Sequence, residues 1–522
     1  MKKLVTALVG CLALTTASMA MSAEATKELK MAYDADPVTL DIHEQLSGGM
    51  LQLSHMAFDP LIRWTKDLEF EPRLAKSWER IDENTMRFHL REGVKFHSGN
   101  TLSSEDVKFT FNRLKKSPDF KAIFAPFSEL KIIDDTTFDL ITKNPYPLVL
   151  NAATYIFPMD KKFYTGTDEN GKDKSLISKQ ANTFASRHLS GTGPYEVTSR
   201  QQGVKVEFKR FDNYWDTDSP GNVGKIVLTP IKENNTRVSA LLSGGVDFIA
   251  PVPPTDLERI KRDPGTNLVT MSGTRVIIFE LNQKRVEAFK DARVRKAIAY
   301  AVNQEGIAAK IMKGFATPAA QLSPKGYQGY NPKLKPRYDV AKAKELMKEA
   351  GYEDGFTITM MAPNNRYVND DKIAQAVAAM LARINIKVDL KTLPKAQYWP
   401  EFDARAADMM MIGWHADTED SANFYQFLTE CPNEETGAGQ YNAGNYCNPE
   451  IDALVEKANV ETDLDKRAQM LQEVEQRLYD DAAFVPLHWQ DLAWAAKKNV
   501  KIEPILNVMN FPYLGDLVIE DQ

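Results

Sequence analysis

Apolar and polar positions repeat with two periods along this chain, and the segments that carry them alternate. Met86, Phe88 and Leu90 alternate with polar neighbours, which predicts a half-buried strand. The polar turn Arg91-Glu92-Gly93 follows. Ser103 or Ser104 then caps a helix with Glu105 and Asp106 in its first turn, where the helix dipole favours acid. Further on, residues 225–228 read as a strand, 236–242 as a helix and 246–249 as a strand. The run 276–281 reads as a largely buried strand, and 291–302 as a helix with Val294, Ala297, Ile298 and Ala301 on one face. A second such unit has a strand over 356–361 and a helix over 370–384 whose apolar face is Ile373, Val377, Met380, Leu381 and Ile384. The next strand carries Ile386, Val388 and Leu390, and 409–414 is another apolar run. Met409-Met410-Met411 fits buried strand rather than metal binding, because methionine fills irregular gaps in a core. This succession predicts an α/β protein with a mixed or parallel sheet.

The chain's 522 residues are too many for one core, so two or three domains are expected. A net charge of -6 and the absence of any basic block argue against a nucleic-acid partner. Residues 1–23 read as a signal peptide: Lys2-Lys3 precede an apolar run from Leu4 to Ala20, with Ser18-Met19-Ala20 or Met21-Ser22-Ala23 as the cleavage site. Leu8-Val9-Gly10-Cys11 looks like a lipobox. The apolar run continues past Cys11 to Met21, however, so a lipid anchor at Cys11 is the weaker reading. No later window is long and apolar enough to span a membrane, which takes about 18 residues or more. Secretion leaves Cys431 and Cys447, and an even count in an oxidising compartment favours a disulfide. It would close a Gly-, Asn- and Glu-rich loop with little of its own to order it and contribute about 3 kcal/mol. Two cysteines without a nearby histidine are a poor metal site.

The segment 74–114 resembles the signature region of the family 5 extracytoplasmic solute-binding proteins, the peptide- and nickel-binding receptors of ABC importers. The matching residues are Leu74-Ala75 with Trp78, the strand ending at Leu90, the run Arg91 to His97, and Glu105-Asp106-Val107. Similar family blocks follow at Gly191-Thr192-Gly193-Pro194-Tyr195, at Phe211 to Trp215, at Asp291 to Ile298 with Asn303, and at Tyr338-Asp339 with Ala350-Gly351-Tyr352. The resemblance implies an α/β, two-lobed periplasmic binding protein of the cluster C type, with mixed sheets and an extra inserted domain. Mapped here, lobe 1 is 24–64 plus 190–281 plus 495–522, the insert is 65–189, and lobe 2 is 282–494. It also implies a monomer that binds a short peptide or related small molecule and docks on an inner-membrane ABC permease.

A free peptide is a zwitterion, and a closed cleft must supply an anion for its ammonium and a cation for its carboxylate, because an unpaired buried charge is costly. Arginine suits the carboxylate through two parallel hydrogen bonds. By resemblance, Asp417 in Gly413-Trp414-His415-Ala416-Asp417 holds the ammonium and Arg366 clamps the carboxylate. Both follow predicted strands, at the ends where open α/β sheets place ligands. Trp414 is either a ligand wall or core packing. Ser47-Gly48-Gly49 matches a cleft loop of the family and reads on pattern as a plain turn. Peptide-binding relatives often continue past the aspartate with Asp-Pro, whereas this chain has Asp420-Ser421. None of the seven histidines forms a metal-binding spacing, and His415 beside the expected site is expected to meet a backbone carbonyl. No cofactor or metal is expected. A nickel chelate, haem, opine or oligosaccharide remains an alternative ligand. A secreted hydrolase is the alternative from another class, although no G-x-S-x-G elbow, Walker A loop or complete G-x-G-x-x-G occurs.

Overall fold

The computed structural model describes residues 25–34, 37, 39–179, 182–416, 418–433 and 437–521. The expected signal peptide and Cys11 lie outside the described residues.

One mixed sheet of eleven strands runs through the molecule. From one edge its order is Ile386–Leu393, Phe356–Pro363, Met409–Trp414, Thr266–Leu281, Phe484–Lys497, Phe248–Ala250, Lys27–Tyr33, Val223–Pro230, Lys205–Arg210 and Tyr195–Gln201, with Ala316–Pro318 paired beside Phe484–Lys497. Two long antiparallel strands of 16 and 14 residues, Thr266–Leu281 and Phe484–Lys497, carry the sheet from one half to the other. Their ladder has two stretches. Residues 266–272 pair with 497–491, and 276–280 pair with 489–484. Between them Gly273, Thr274 and Arg275 bulge out of register opposite Gln490. Gly273 is required there, because a Cβ would stand 2.6 Å from the Gln490 carbonyl oxygen. The protein is thus two α/β lobes joined through a pair of bulged strands. Residues 276–281, grouped with lobe 1 in the expected division, pair here with Met409–Trp414 of the second half.

In the second half both faces of the sheet are covered, which is why its strands read as nearly unbroken apolar runs. Ile277, Phe279, Leu281, Met409 and Met411 point into one core with the helices Ala292–Ala301, Val340–Glu349 and Asp370–Ala382. Val276, Ile278, Met410 and Ile412 alternate to the other face, against the helices Ser421–Leu428, Pro449–Val460 and Leu464–Asp481. The segment between the first-lobe pieces forms its own four-stranded antiparallel sheet, Ala75–Arg80, Thr85–Leu90, Thr137–Thr142 and Phe127–Asp134 in spatial order. Met86, Phe88 and Leu90 face a separate core there. Its helix, Ser104–Leu114, begins after Ser103, whose backbone N–H and hydroxyl both donate to the Asp106 carboxylate at 2.9 Å. This insert touches the second lobe: Leu68 packs against that lobe's core, and Asn151 Nδ2 donates to the Thr418 carbonyl at 2.9 Å.

The disulfide Cys431–Cys447 is present, with an S–S distance of 2.05 Å. Residues 437–446 of the loop it closes are tied to their neighbours. Tyr441 N–H donates to the Phe427 carbonyl at 3.0 Å. Arg405 Nε donates to the Asn442 carbonyl at 3.1 Å. Ala443 N–H donates to the buried Glu280 carboxylate at 2.7 Å. Within the loop, the buried Asn442 side chain donates to the Tyr446 carbonyl at 2.8 Å and accepts from the Tyr446 N–H at 3.2 Å, so neighbouring elements and the loop itself share the polar contacts.

Candidate ligand-binding site

The strand Met409–Trp414 lies inside the sheet, parallel to Phe356–Pro363 on one side and antiparallel to Thr266–Leu281 on the other. Its C-terminal end and the loop after Phe356–Pro363 open together onto a cavity of about 420 Å3. Arg366 and Trp414 both line it, so the structure brings these two expected residues together. Asp417 lies outside the described residues.

Their mutual placement has a local cause. The Tyr367 hydroxyl accepts from the Gly413 N–H at 2.8 Å and donates back to the Gly413 carbonyl at 3.3 Å. This ties the Arg366 loop to the end of the Trp414 strand. The Asp370 carboxylate, at the start of the next helix, accepts from the backbone N–H groups of Arg366 and Tyr367, both at 2.9 Å. The loop backbone is thus fixed at both ends while the Arg366 side chain stays exposed. Its guanidinium lies 5.0 Å from the Tyr367 ring centre and forms no ion pair among the described residues.

Trp414 is half-buried. One side packs on Phe427 and Tyr441, with ring centres 5.2 and 4.7 Å away, and its indole N–H donates to Asn423 Oδ1 at 2.8 Å. The remainder faces the cavity. Sequence reasoning missed four further lining residues: Arg275, Trp399, Asp403 and Tyr441. Arg275 comes from the bulge between the lobes, where Nη1 donates to the Gly413 carbonyl at 3.4 Å. Trp399 and Asp403 stand one turn apart on the helix Lys395–Asp403, an i, i+4 spacing that puts both on one face. That spacing was a readable signal. Tyr441 arrives on the disulfide-closed loop, and nothing local in the sequence marks it.

His415 does not meet a backbone carbonyl. Its Nδ1 is 2.8 Å from the Thr274 hydroxyl, and its Nε2 is 3.3 Å from a Glu419 carboxylate oxygen. It therefore links the bulge in the long strands to the segment after the site strand. Glu419 in turn accepts from the Tyr327 hydroxyl, and burial with the adjacent carboxylate pushes that phenol well above its usual range. Ser47-Gly48-Gly49 is a helix start rather than a plain turn: Ser47 precedes the helix Gly48–Ala57, and its carbonyl accepts from the Leu51 N–H at 2.9 Å. These residues do not line the 420 Å3 cavity, and a Cβ on either glycine would meet nothing within 4 Å. The departure at Asp420-Ser421 has a structural explanation. Asp420 is buried in a two-pronged ion pair with Arg467 at 2.7 and 2.8 Å, and the fully buried Ser421 hydroxyl accepts from the Gly329 N–H at 2.9 Å. Both side chains are used inside the lobe.

Two α/β lobes joined by a bulged strand pair, with a cavity at the strand ends of one lobe, define a two-lobed periplasmic binding protein. The family of bacterial extracellular solute-binding proteins, family 5 (middle region), matches residues 69–436, and the chain belongs to that family. It is 28% identical over 464 residues to the dipeptide-binding protein of Escherichia coli K12, covering 83% of each chain. It is 26% identical over 509 residues to the glutathione-binding protein of Salmonella typhimurium, covering 94% of each. Among solved structures, the periplasmic binding protein DppA of Helicobacter pylori in complex with the peptide STSA superposes with a TM-score of 0.71 at 25% identity, covering 95% of this chain and 98% of that one. HbpA2 of Haemophilus parasuis shares the fold with a TM-score of 0.82 at 21% identity, covering 95% and 100%. No described helix is long and apolar enough to cross a membrane.

Proposed function

We infer that this solute-binding protein is the periplasmic receptor of an ABC importer that captures a short peptide, or a peptide-like zwitterion, between its lobes. It acts by binding and release, not by catalysis, and hands its ligand as a monomer to the inner-membrane permease. In this reading Arg366 holds the ligand carboxylate, Asp417 its ammonium, and Trp414 walls a side chain. Ser47, Gly48 and Gly49 approach the ligand from lobe 1. The basic and apolar N-terminal segment directs the chain across the inner membrane.

The observation that carries the reading is Arg366: an exposed guanidinium without an ion-pair partner among the described residues, on a tied-down loop, in the same cavity as a half-buried tryptophan. An arginine so placed is ready to grip a carboxylate through two hydrogen bonds when closure expels water. The names of the dipeptide- and glutathione-binding relatives point to the same ligand class. The test is calorimetric titration of the protein with alanyl-alanine. Arg366→Ala should weaken binding by about 2–5 kcal/mol, because it leaves the ligand carboxylate buried and unpaired. Unchanged affinity would contradict this role for Arg366.

A further inference from the structure

The helix Lys395–Asp403 ends on an acid, and that acid has no structural use in view. Asp403 is exposed, lines the 420 Å3 cavity, and makes no hydrogen bond or ion pair among the described residues. The C-terminal end of a helix is the negative end of its dipole, so this position repels a carboxylate. One turn earlier Trp399 lines the same cavity, and Trp414 and Tyr441 add two more rings. Arg366 also faces it, yet Asp403 and Arg366 are not paired with each other. The cavity therefore holds one carboxylate, Asp403, and two guanidiniums, Arg366 and the Arg275 that donates to the Gly413 carbonyl, with aromatic surface beside them.

We propose that Trp399 and Asp403 form a subsite for a cationic side chain, so that the preferred ligand is a peptide whose C-terminal residue is lysine or arginine. The proposal rests on the peptide reading above, with the C-terminal carboxylate on Arg366. A lysyl or arginyl residue carries its second charge at the end of an apolar stem. The stem packs along the rings while the head group reaches Asp403, and a cation over an indole or phenol face is attracted by the ring quadrupole. An acidic side chain would meet Asp403 as a like charge. An apolar one would leave that carboxylate without a partner when the lobes close and exclude water.

The experiment is calorimetric titration of wild type and Asp403→Asn with alanyl-lysine, alanyl-norleucine and alanyl-glutamate. Norleucine keeps an unbranched alkyl stem without the charge. Wild type should bind alanyl-lysine about tenfold or more tighter than alanyl-norleucine, as expected for one charged hydrogen bond with ring support, and alanyl-glutamate most weakly. Asp403→Asn should erase the lysine preference by weakening alanyl-lysine while alanyl-norleucine binds no more weakly than to wild type, since the mutation removes the unpaired carboxylate, and the thermal unfolding midpoint should not fall. Trp399→Ala should reduce the same preference. Equal wild-type affinities for the lysine and norleucine peptides would overturn the subsite and leave the peptide reading standing. An equal loss for both peptides in Asp403→Asn would also overturn it, placing the carboxylate on a main-chain group or the fold. Failure of all three peptides to bind wild type would overturn the peptide reading and the subsite with it.

Discussion

A side chain at Gly413 would put its Cβ 2.5 Å from Ile277 Cδ1 and 2.6 Å from Tyr367 Cε1. Only glycine lets the Tyr367 hydroxyl close on the backbone there, and that contact holds the Arg366 loop beside Trp414. Glu280 shows the same dependence of the site on residues behind it. Its carboxylate is buried, one oxygen accepts from the Ala443 N–H, and the other has no hydrogen-bond partner. Burial pushes its pKa well above the usual carboxylate range. A raised folded-state pKa stabilises fully below the unfolded value, and that contribution is lost as pH rises toward the folded one. Wild type should therefore lose stability relative to Glu280→Gln between pH 5 and pH 8 in urea unfolding. Parallel pH profiles for the two proteins would contradict the upward shift of Glu280. At this scale the sequence pointed to Arg366 and Trp414 through family motifs, and both line the one cavity. It did not disclose Arg275 or Tyr441, which reach the cavity only through tertiary contacts, and the Trp399 and Asp403 spacing went unused.

Among the elements, strands and helices with strong periodicity were legible nearly to their ends. The run 409–414 is the strand Met409–Trp414, and the predicted helix 291–302 is Ala292–Ala301, with the Asp291 side chain capping it by accepting from the Arg293 N–H. The first half of the long strand Thr266–Leu281 was not legible. It is largely half-exposed, and Ser272-Gly273-Thr274 looks like a turn, whereas pairing with Phe484–Lys497 keeps the strand going through a bulge. The disulfide loop is a second case in which context overrides composition. The loop carries Tyr441 onto Trp414, and its backbone is pinned by the Phe427 carbonyl, the Arg405 guanidinium and the Glu280 carboxylate. Replacing Cys431 and Cys447 together by serine should cost about 2–4 kcal/mol in unfolding free energy. Peptide affinity should stay close to wild type, because those hydrogen bonds remain. A large loss of affinity with little loss of stability would show that the disulfide itself shapes the cavity wall.

For the whole molecule, two lobes share one sheet, and the link between them is narrow: two long strands that lose register at Gly273–Arg275. A bulge at the crossing is where two rigid bodies can change their angle without breaking either core. Arg275 and Thr274 lie in that bulge; Arg275 lines the cavity and Thr274 bonds His415, so the bulge and the cavity share residues. The most direct test of the account is to purify the mature protein from its native compartment without stripping it, denature it, and identify the released small molecules by mass spectrometry. The account predicts short peptides with free termini. A sugar, metal chelate or haem in their place would contradict it.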